Sequence, residues 1–598
     1  MHTAVMVQSG DRSHDVPGPL HCDAEGCTGV RAVPHSRCIA HLDETSLQHV
    51  LAGLSPGADI DARNVPFTGP LVERLLAAVL DPGAGRPCLG TAGFRGARFD
   101  GNVSFSGVQF KGKAVFDGAW FGRRASFEGA DFSDGAWFDD ARFGNVIFNR
   151  AVFGKDAHFT RSHFGSFAWF QDAQFQANAW FNGSRFDGAK ISETDDRPRA
   201  ADFWGAVFSG GAEFDQARFG GHVLFRQVRF EGGIVLHGVQ VNGNLELSEA
   251  QFAGCELLGP ATVAQTLRLD RARFDHAVQI QAAAEGVMCQ HATFARHATV
   301  LLRYALVILD DVLSDEPLTV VAAAEPFNAR GQTTPMDESL IGKPPGEAKA
   351  RLVSLVGVDC SRLVLTDVDL SRCQFAGTYH LDQLRIEGDC RFASAPTGWI
   401  FAKGWPPVWH WMRRQTLAEE HPWRAGTSHP IPWPPPPSLF DPPRPTLPPD
   451  RLAVLYRQLR KAQEDAKNEP GAADFYYGEM EMRRHSAASA STERVILFLY
   501  WLLSGYALRA ARALAFLAII VAVTTVLLAV YGLPGPATHT GTWQRMNQAL
   551  LIALNSIVFR AAGQPLTTAG AYTEMAARFT GPVLLALVIL AMRNRVKR

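Results

Sequence analysis

Three things are scarce in this 598-residue chain, and each scarcity removes a class of function. Excess charge is missing: 58 Lys plus Arg face 59 Asp plus Glu, a formal net charge of −1. So balanced a chain is neither a general nucleic-acid binder nor an acidic mimic of a duplex, and no nucleic-acid partner is expected. Catalytic signatures are missing: there is no G-x-G-x-x-G after a strand, no P-loop, no H-E-x-x-H and no G-x-S-x-G, so enzyme activity is not expected. An apolar N-terminal run is missing as well. Residues 1–20 are polar, read as a flexible tail, and carry no signal-peptide core. The nine cysteines are therefore expected to stay reduced, held by a metal or by burial rather than by disulfides. Cys255, Cys289, Cys360, Cys373 and Cys390 lack the ligand spacing of haem or iron–sulfur sites.

Phenylalanine is abundant, with 39 copies against 9 Tyr, and most lie before residue 295. Phe94, Phe99, Phe105, Phe110, Phe116, Phe121, Phe127, Phe132, Phe138 and Phe143 alternate steps of five and six, an eleven-residue period. After a five-residue step to Phe148 the beat resumes through Phe153, Phe159, Phe164, Phe170, Phe175, Phe181 and Phe186. A charged insert near Asp195–Arg199 interrupts it, and it returns from Phe203 to Phe230. Aliphatics carry it on at Leu236, Val241, Leu247, Leu258, Val263, Leu269 and Ile280, with Phe252 and Phe274 between. Small residues stand two before many of the Phe, as at Ala97, Val108, Ala119, Ala130, Ala141, Ala151 and Ala217.

Neither an amphipathic helix nor an alternating strand has this period. A solenoid with short sides and tight corners does, with one large and one small inward residue per side stacking into ladders. The pattern resembles the bacterial pentapeptide-repeat family over Gly93–Phe294 and again over Val364–Phe392. That resemblance implies an all-β solenoid, a right-handed quadrilateral β-helix. The extra residue in alternate repeats predicts about 22 residues per coil rather than 20. Outward charges such as Lys111, Arg123, Arg124, Asp139 and Asp140 mix both signs and read as a solvated surface.

Around this solenoid the chain divides further. Residues 21–45 carry Cys22, Cys27, Cys38 and His41 as C-x4-C-x10-C-x2-H, a complete tetrahedral set for structural zinc with no open position. Unligated thiols and a redox site are the alternatives; His21 and His35 are nearby competitors expected to face solvent. Residues 46–90 form a helical cap, with a helix over Pro70–Leu80 covering the first coil. The β-helix occupies 91–313, a loop insert 314–350 and final coils 351–397. Residues 398–425 hold Trp405, Trp409, Trp411, Arg413, Arg414, Glu419, Glu420 and Trp423, read as a terminal cap or a docking surface. Eleven Pro between Pro430 and Pro449 make 426–449 an extended spacer.

Residues 450–490 read as a helical hairpin, with Leu452, Leu455, Tyr456 and Leu459 on one face of its first helix. Glu479, Glu481, Arg483 and Arg484 read as helix-surface charges. Residues 491–598 form a membrane domain. Ala513–Leu533 has no charge over 21 residues, enough to span a bilayer. Val495–Leu508 reads as an interfacial lead-in helix, and Phe579–Met592 spans if its helix starts near Thr573. Arg509 and Arg512 before the first span, and Arg593, Arg595, Lys597 and Arg598 after the second, place both ends and the β-helix in the cytoplasm.

Between the spans, Met546–Phe559 is short enough to be re-entrant, and Thr568 and Gly570 loosely resemble a potassium filter. Ala571-Tyr572 stands where Tyr-Gly should follow, so the carbonyl ladder is unsupported. The leading expectation is a plasma-membrane-anchored scaffold presenting its β-helix to a protein partner, with homo-oligomerisation through the membrane domain possible. A channel-like membrane protein, or one regulating such a pore, is the alternative. The layout also resembles bacterial proteins labelled membrane-associated oxidoreductases, which no motif here supports.

Overall fold

The computed structural model describes residues 21–189, 198–328, 334–395, 398–400, 408–410, 414–426, 446–486, 491–535, 541–558 and 565–596. The charged insert (in large part), the Pro-rich spacer, Trp405, Trp411, Arg413 and the N-terminal tail lie outside them. A β-solenoid of about 13 turns lies within residues 88–392. The chain forms two compact units, Met1–Ala350 and Arg351–Arg598.

In the first unit, short parallel strands pair from coil to coil in unbroken register. Phe132 sits on Phe110, Phe175 on Phe153, Phe230 on Phe208 and Phe274 on Phe252, each 22 residues along. The five-residue step at Phe148 makes one coil a residue shorter, so Phe153 sits on Phe132. Near the end of the unit the coil tightens to 20, with Phe294 on Phe274. The charged insert is accommodated without loss of register: Phe208 still lands on Phe175, 33 residues earlier, and an Ala189–Arg199 bridge closes the neck of the excursion.

The inward Phe form four stacks, one per side. One runs Phe94, Phe116, Phe138, Phe159, Phe181 with ring centroids 4.9–5.1 Å apart and planes within 14°. Another begins earlier than the sequence period, at Phe67, and continues through Phe99, Phe121, Phe143, Phe164 and Phe186. Stacks on opposite sides meet edge to face across the interior: Phe127 and Phe148 each lie 5.4 Å from Phe138 at 78–79°. These offset-parallel and T-shaped arrangements are the two that the ring quadrupole favours. The small residues two positions earlier are all buried beside them.

The eleven-residue period is a pair of unlike corners. The five-residue step is a tight turn in which Ala97 N–H donates to Phe94 O, Ala119 to Phe116 and Ala141 to Phe138, each at 3.0 Å. Its third residue is left-handed: Gly96, Gly107, Gly118 and Gly129 first, then Asp140, Arg150, Arg161 and Asp172. The six-residue step turns a wider corner with the extra residue. Outward polar side chains near the corners brace the coils: Asp139 Oδ1 accepts from Thr160 N at 2.8 Å and Asn149 Oδ1 from Gln171 N at 3.0 Å. Asp140 pairs with Arg161 one coil on, at 2.7 Å.

The ends of this unit differ from the sequence reading. Helices α1 (Glu44–Ala52) and α2 (Gly69–Ala78, Pro70 in its first turn) are present, and α2 packs on strands Pro66–Thr68 and Val103–Ser104. Yet residues 58–61 and 66–68 are strands stacked under the first coil. Pairing also runs on through Leu318–Ala322, inside the segment read as a loop, because Leu318, Val320 and Ala322 alternate inward. The excursion after it is tied back by Glu338, which accepts from buried Arg303 at 2.7 Å and from Tyr304 Oη at 3.0 Å.

In the second unit, coils resume with Leu365 paired to Ile386 and Leu370 to Phe392. The strand Gln415–Thr416 then pairs antiparallel with Ala393–Ser394, ending the parallel series. A short helix α3 (Glu420–Gly426) follows, then the hairpin of α4 (Pro449–Asp465) and α5 (Glu469–His485). Leu452, Leu455, Tyr456 and Leu459 are buried as read. Phe475 of α5 seats edge-on against Phe392 at 4.9 Å, and Glu419 Oε1 accepts the Phe375 and Ala376 N–H groups. Strand edge is thus covered by helix and carboxylate, which blocks strand addition.

Then come α6 (Ser491–Ser504), α7 (Ala510–Leu527, continued by a π-helical turn to Gly532), α8 (Thr542–Ile557) and α9 (Thr568–Val596). Two helical stretches are long and apolar enough to cross a membrane, Ala510–Gly532 and Thr568–Arg593.

Removing one ring should be felt locally. Phe138→Ala is expected to cost about 3–5 kcal/mol at its coil. Because each coil touches only its neighbours, backbone hydrogen exchange should rise around Phe116 and Phe159 and stay unchanged near Phe274. Equal acceleration in all coils would contradict nearest-neighbour stacking.

Candidate metal centre

Cys22 and Cys27 lie on a tight knuckle: Cys22 N–H donates to Gly29 O at 2.9 Å, Cys27 N–H to Ala24 O at 3.1 Å, and Gly26 takes a left-handed φ of +72°. Cys38 and His41 flank one 3-10 turn, with His41 N–H donating to Cys38 O at 2.9 Å. That turn is why the C-x2-H spacing puts thiol and imidazole on one side. The four ligand atoms lie within 4.8 Å of one another.

The separations test what fits between them. Metal–sulfur bonds of about 2.3 Å and metal–nitrogen bonds of about 2.05 Å at tetrahedral angles place S···S at roughly 3.8 Å and S···N at roughly 3.6 Å. Cys27 Sγ is 3.8 Å from Cys38 Sγ, and His41 Nδ1 is 3.5 Å from Cys22 Sγ and 3.4 Å from Cys38 Sγ. The donor set therefore fits one tetrahedral ion, and these four residues can hold a metal. Backbone N–H groups of Ala24 and Gly29 approach the Cys22 and Cys27 sulfurs at 3.5 and 3.4 Å, the usual way a thiolate's excess charge is spread.

The thiols differ in acidity. Burial pushes Cys22 up, but the Cys38 and Ala24 backbone N–H groups and His41 overcome it, bringing it down to about 6. Burial and the neighbouring Cys22 and Cys27 sulfurs push Cys38 up to about 12. Three thiolates at contact distance repel unless a cation sits among them. His21 is exposed, with Nδ1 3.0 Å from Thr28 O, and His35 is partly buried; neither belongs to the cluster.

A second polar cluster was not legible in the sequence. Glu479 and Glu481, read as surface charges, are buried. Glu481 accepts from Arg484 at 2.8 Å and from Tyr506 Oη at 3.1 Å, and Arg460 reaches Glu479 at 3.0 Å. Glu420 is enclosed by Arg414 at 2.9 Å, Arg424 and the Tyr456 hydroxyl. Burial alone raises the Glu481 carboxyl, but His485 and the Arg484 and Arg424 guanidiniums hold it far below the usual range. The i+3 and i+4 spacing of Arg484 and His485 was visible; the tertiary partner Tyr506 was not. The stretch read as filter-like is helical: Thr568 starts α9 and Gly570 packs on Gly532, where a Cβ would meet Gly532 O at 2.6 Å. It presents no carbonyl ladder, because its carbonyls enter the helix.

Compared with known families, a model of pentapeptide repeats (nine copies) matches residues 94–142 and 148–195. No curated protein and no solved structure gives a significant match. The chain is a pentapeptide-repeat β-solenoid with a Cys/His cluster at its N-terminal side and two helices apolar enough to span a membrane.

Cys38→Ala is expected to abolish stoichiometric metal in the purified chain, read by elemental mass spectrometry, whereas His21→Ala retains it. Glu481→Gln should destabilise the second unit by about 3–5 kcal/mol, since it leaves buried cations unpaired. Because the folded carboxyl is held low, its contribution is full above its unfolded pKa of about 4.3 and is lost as pH falls through the folded value. Thermal melts of wild type and variant should therefore converge only in strong acid.

Proposed function

We propose that this protein is a membrane-anchored scaffold whose β-helix presents a rigid cytoplasmic surface to a protein partner. The carrying observation is the pair Ala510–Gly532 and Thr568–Arg593, whose most apolar windows are only 22% and 28% buried. Such uncovered apolar length suits lipid rather than water. Arg509 and Arg512 before the first helix, and Arg593 at the end of the second, favour a cytoplasmic position for both ends. The solenoid's contribution is shape: four braced sides with outward charges of both signs, and no groove lined by convergent catalytic groups. At the N-terminal side, zinc is the ion we assign to Cys22, Cys27, Cys38 and His41. Three thiolates and one imidazole favour it, and a closed tetrahedral set suits a structural rather than catalytic role. The exposed Leu550, Leu551 and Leu554 of α8 offer a surface for self-association in the bilayer.

The test is alkaline extraction of membranes holding the full chain, with protease added from either side and ion flux measured in vesicles. Retention, cleavage from the cytoplasmic side only and no flux are expected. Release by alkali removes the anchor; flux abolished by Gly570→Val would instead favour a pore.

A further inference from the structure

Helix α6 has two apolar sides but only one protein neighbour. Leu497, Tyr500 and Trp501 pack against Tyr476, Tyr477 and Met480 of α5 and against Tyr506. On the other side Val495, Phe498 and Leu499 form a stripe at helical spacing, 58%, 40% and 47% exposed, with Ile496 beside it at 60%. At 14 residues the helix is about 21 Å long, too short to cross a hydrocarbon core of about 30 Å. Nor does it extend α7. Gly505, Tyr506 and Ala507 all take left-handed φ values of 55–59°, which breaks the helical direction between the two.

What surrounds the stripe is cationic and aromatic. Arg484 and Arg512 lie 4.9 and 5.4 Å from the Trp501 ring, and Arg509 lies 5.5 Å from the Tyr477 ring. Trp501 Nε1 donates to Tyr477 Oη at 3.1 Å, and Arg512 donates to Trp501 O at 3.0 Å. The one acid of α6, Glu493, is paired with Arg483 at 2.6 Å, and Glu481 with Arg484. Arg494 adds a further positive charge in the first turn. Trp, Tyr and Arg at one level are the residues that settle at a bilayer's interface.

We propose that α6 lies along the surface of an anionic bilayer, with Val495, Ile496, Phe498 and Leu499 among the acyl chains and the Arg484–Arg509–Arg512 group at the phosphates. Continuity selects this occupant over a protein: α6 leads within six residues into the candidate span α7, so a membrane that takes α7 receives the end of α6 at its surface. The inference rests on the anchored reading and adds a lipid-recognition element to it. Its consequence is that the capped end of the coils is held against the leaflet.

The test places benzoylphenylalanine at Phe498, or at buried Leu497 as reference, in the full chain. The protein is reconstituted in vesicles of phosphatidylcholine with or without phosphatidylglycerol. Irradiation should add the mass of one phospholipid at position 498 and none at 497, with a higher yield when phosphatidylglycerol is present. Cross-links from 498 to protein alone, or equal lipid yield at 497, would overturn the proposal. Equal yields in the two vesicle types would overturn its anionic character. Alkaline extraction separates the two readings: release with the lipid adduct retained removes the spans and keeps α6 as a peripheral lipid contact.

Discussion

Parallel coils must stack at the inter-strand distance, about 4.8 Å, and a phenyl ring lying face to face on another needs nearly the same spacing. That coincidence governs the molecule. Once one inward Phe sits on the Phe below at 4.3–5.4 Å, the chain must bring each side back to the same place every coil. The five-and-six step is the solution, a tight turn with a left-handed third residue alternating with a corner one residue wider. Backbone pairing and ring stacking then reinforce each other, and neither tolerates slippage. The insert after Phe186 shows the strength of the constraint, since the extra residues are expelled at a corner while Phe219 still lands on Phe186.

The same constraint explains which parts of the fold were legible. A residue that lines a stack recurs at a fixed interval, so local pattern reports it directly, and the aliphatic continuation at Leu236, Val241 and Leu247 reads as easily as the Phe. Phe67 escaped because α2 and a strand pair are spliced into its coil, leaving 32 residues between it and Phe99, which no period reaches. The cysteine spacing was legible for a related reason: two short-range pairs each fix their own geometry, a knuckle and a 3-10 turn. Only their convergence needed the structure.

What stayed hidden depends on contacts between distant segments. Glu420 and Glu481 sit in sequences rich in charge, and nothing local distinguishes a solvated carboxylate from a buried one. Their burial is decided by Tyr456 and Tyr506, 36 and 25 residues away. The Thr-Thr-Ala-Gly stretch failed for the opposite reason. Its small residues suggest a loop, yet Gly570 is there to let α9 approach Gly532 closely, and a closer approach stabilises a helix pair that has no water to exclude.

Charge placement links the two halves of the chain physically. Along the coils, ion pairs such as Arg161–Asp140 are exposed, each worth little, and their chief effect is a surface without a dominant sign. Beyond the last coil the cations are instead drawn against Tyr and Trp rings, and the acids are consumed in buried pairs. An exposed face of mixed charge keeps a rod soluble and non-adhesive; a belt of arginine and aromatic rings does the reverse, favouring a boundary where one side is wet and the other apolar. The change from one regime to the other occurs within α5 and α6. It marks where water stops being this protein's solvent.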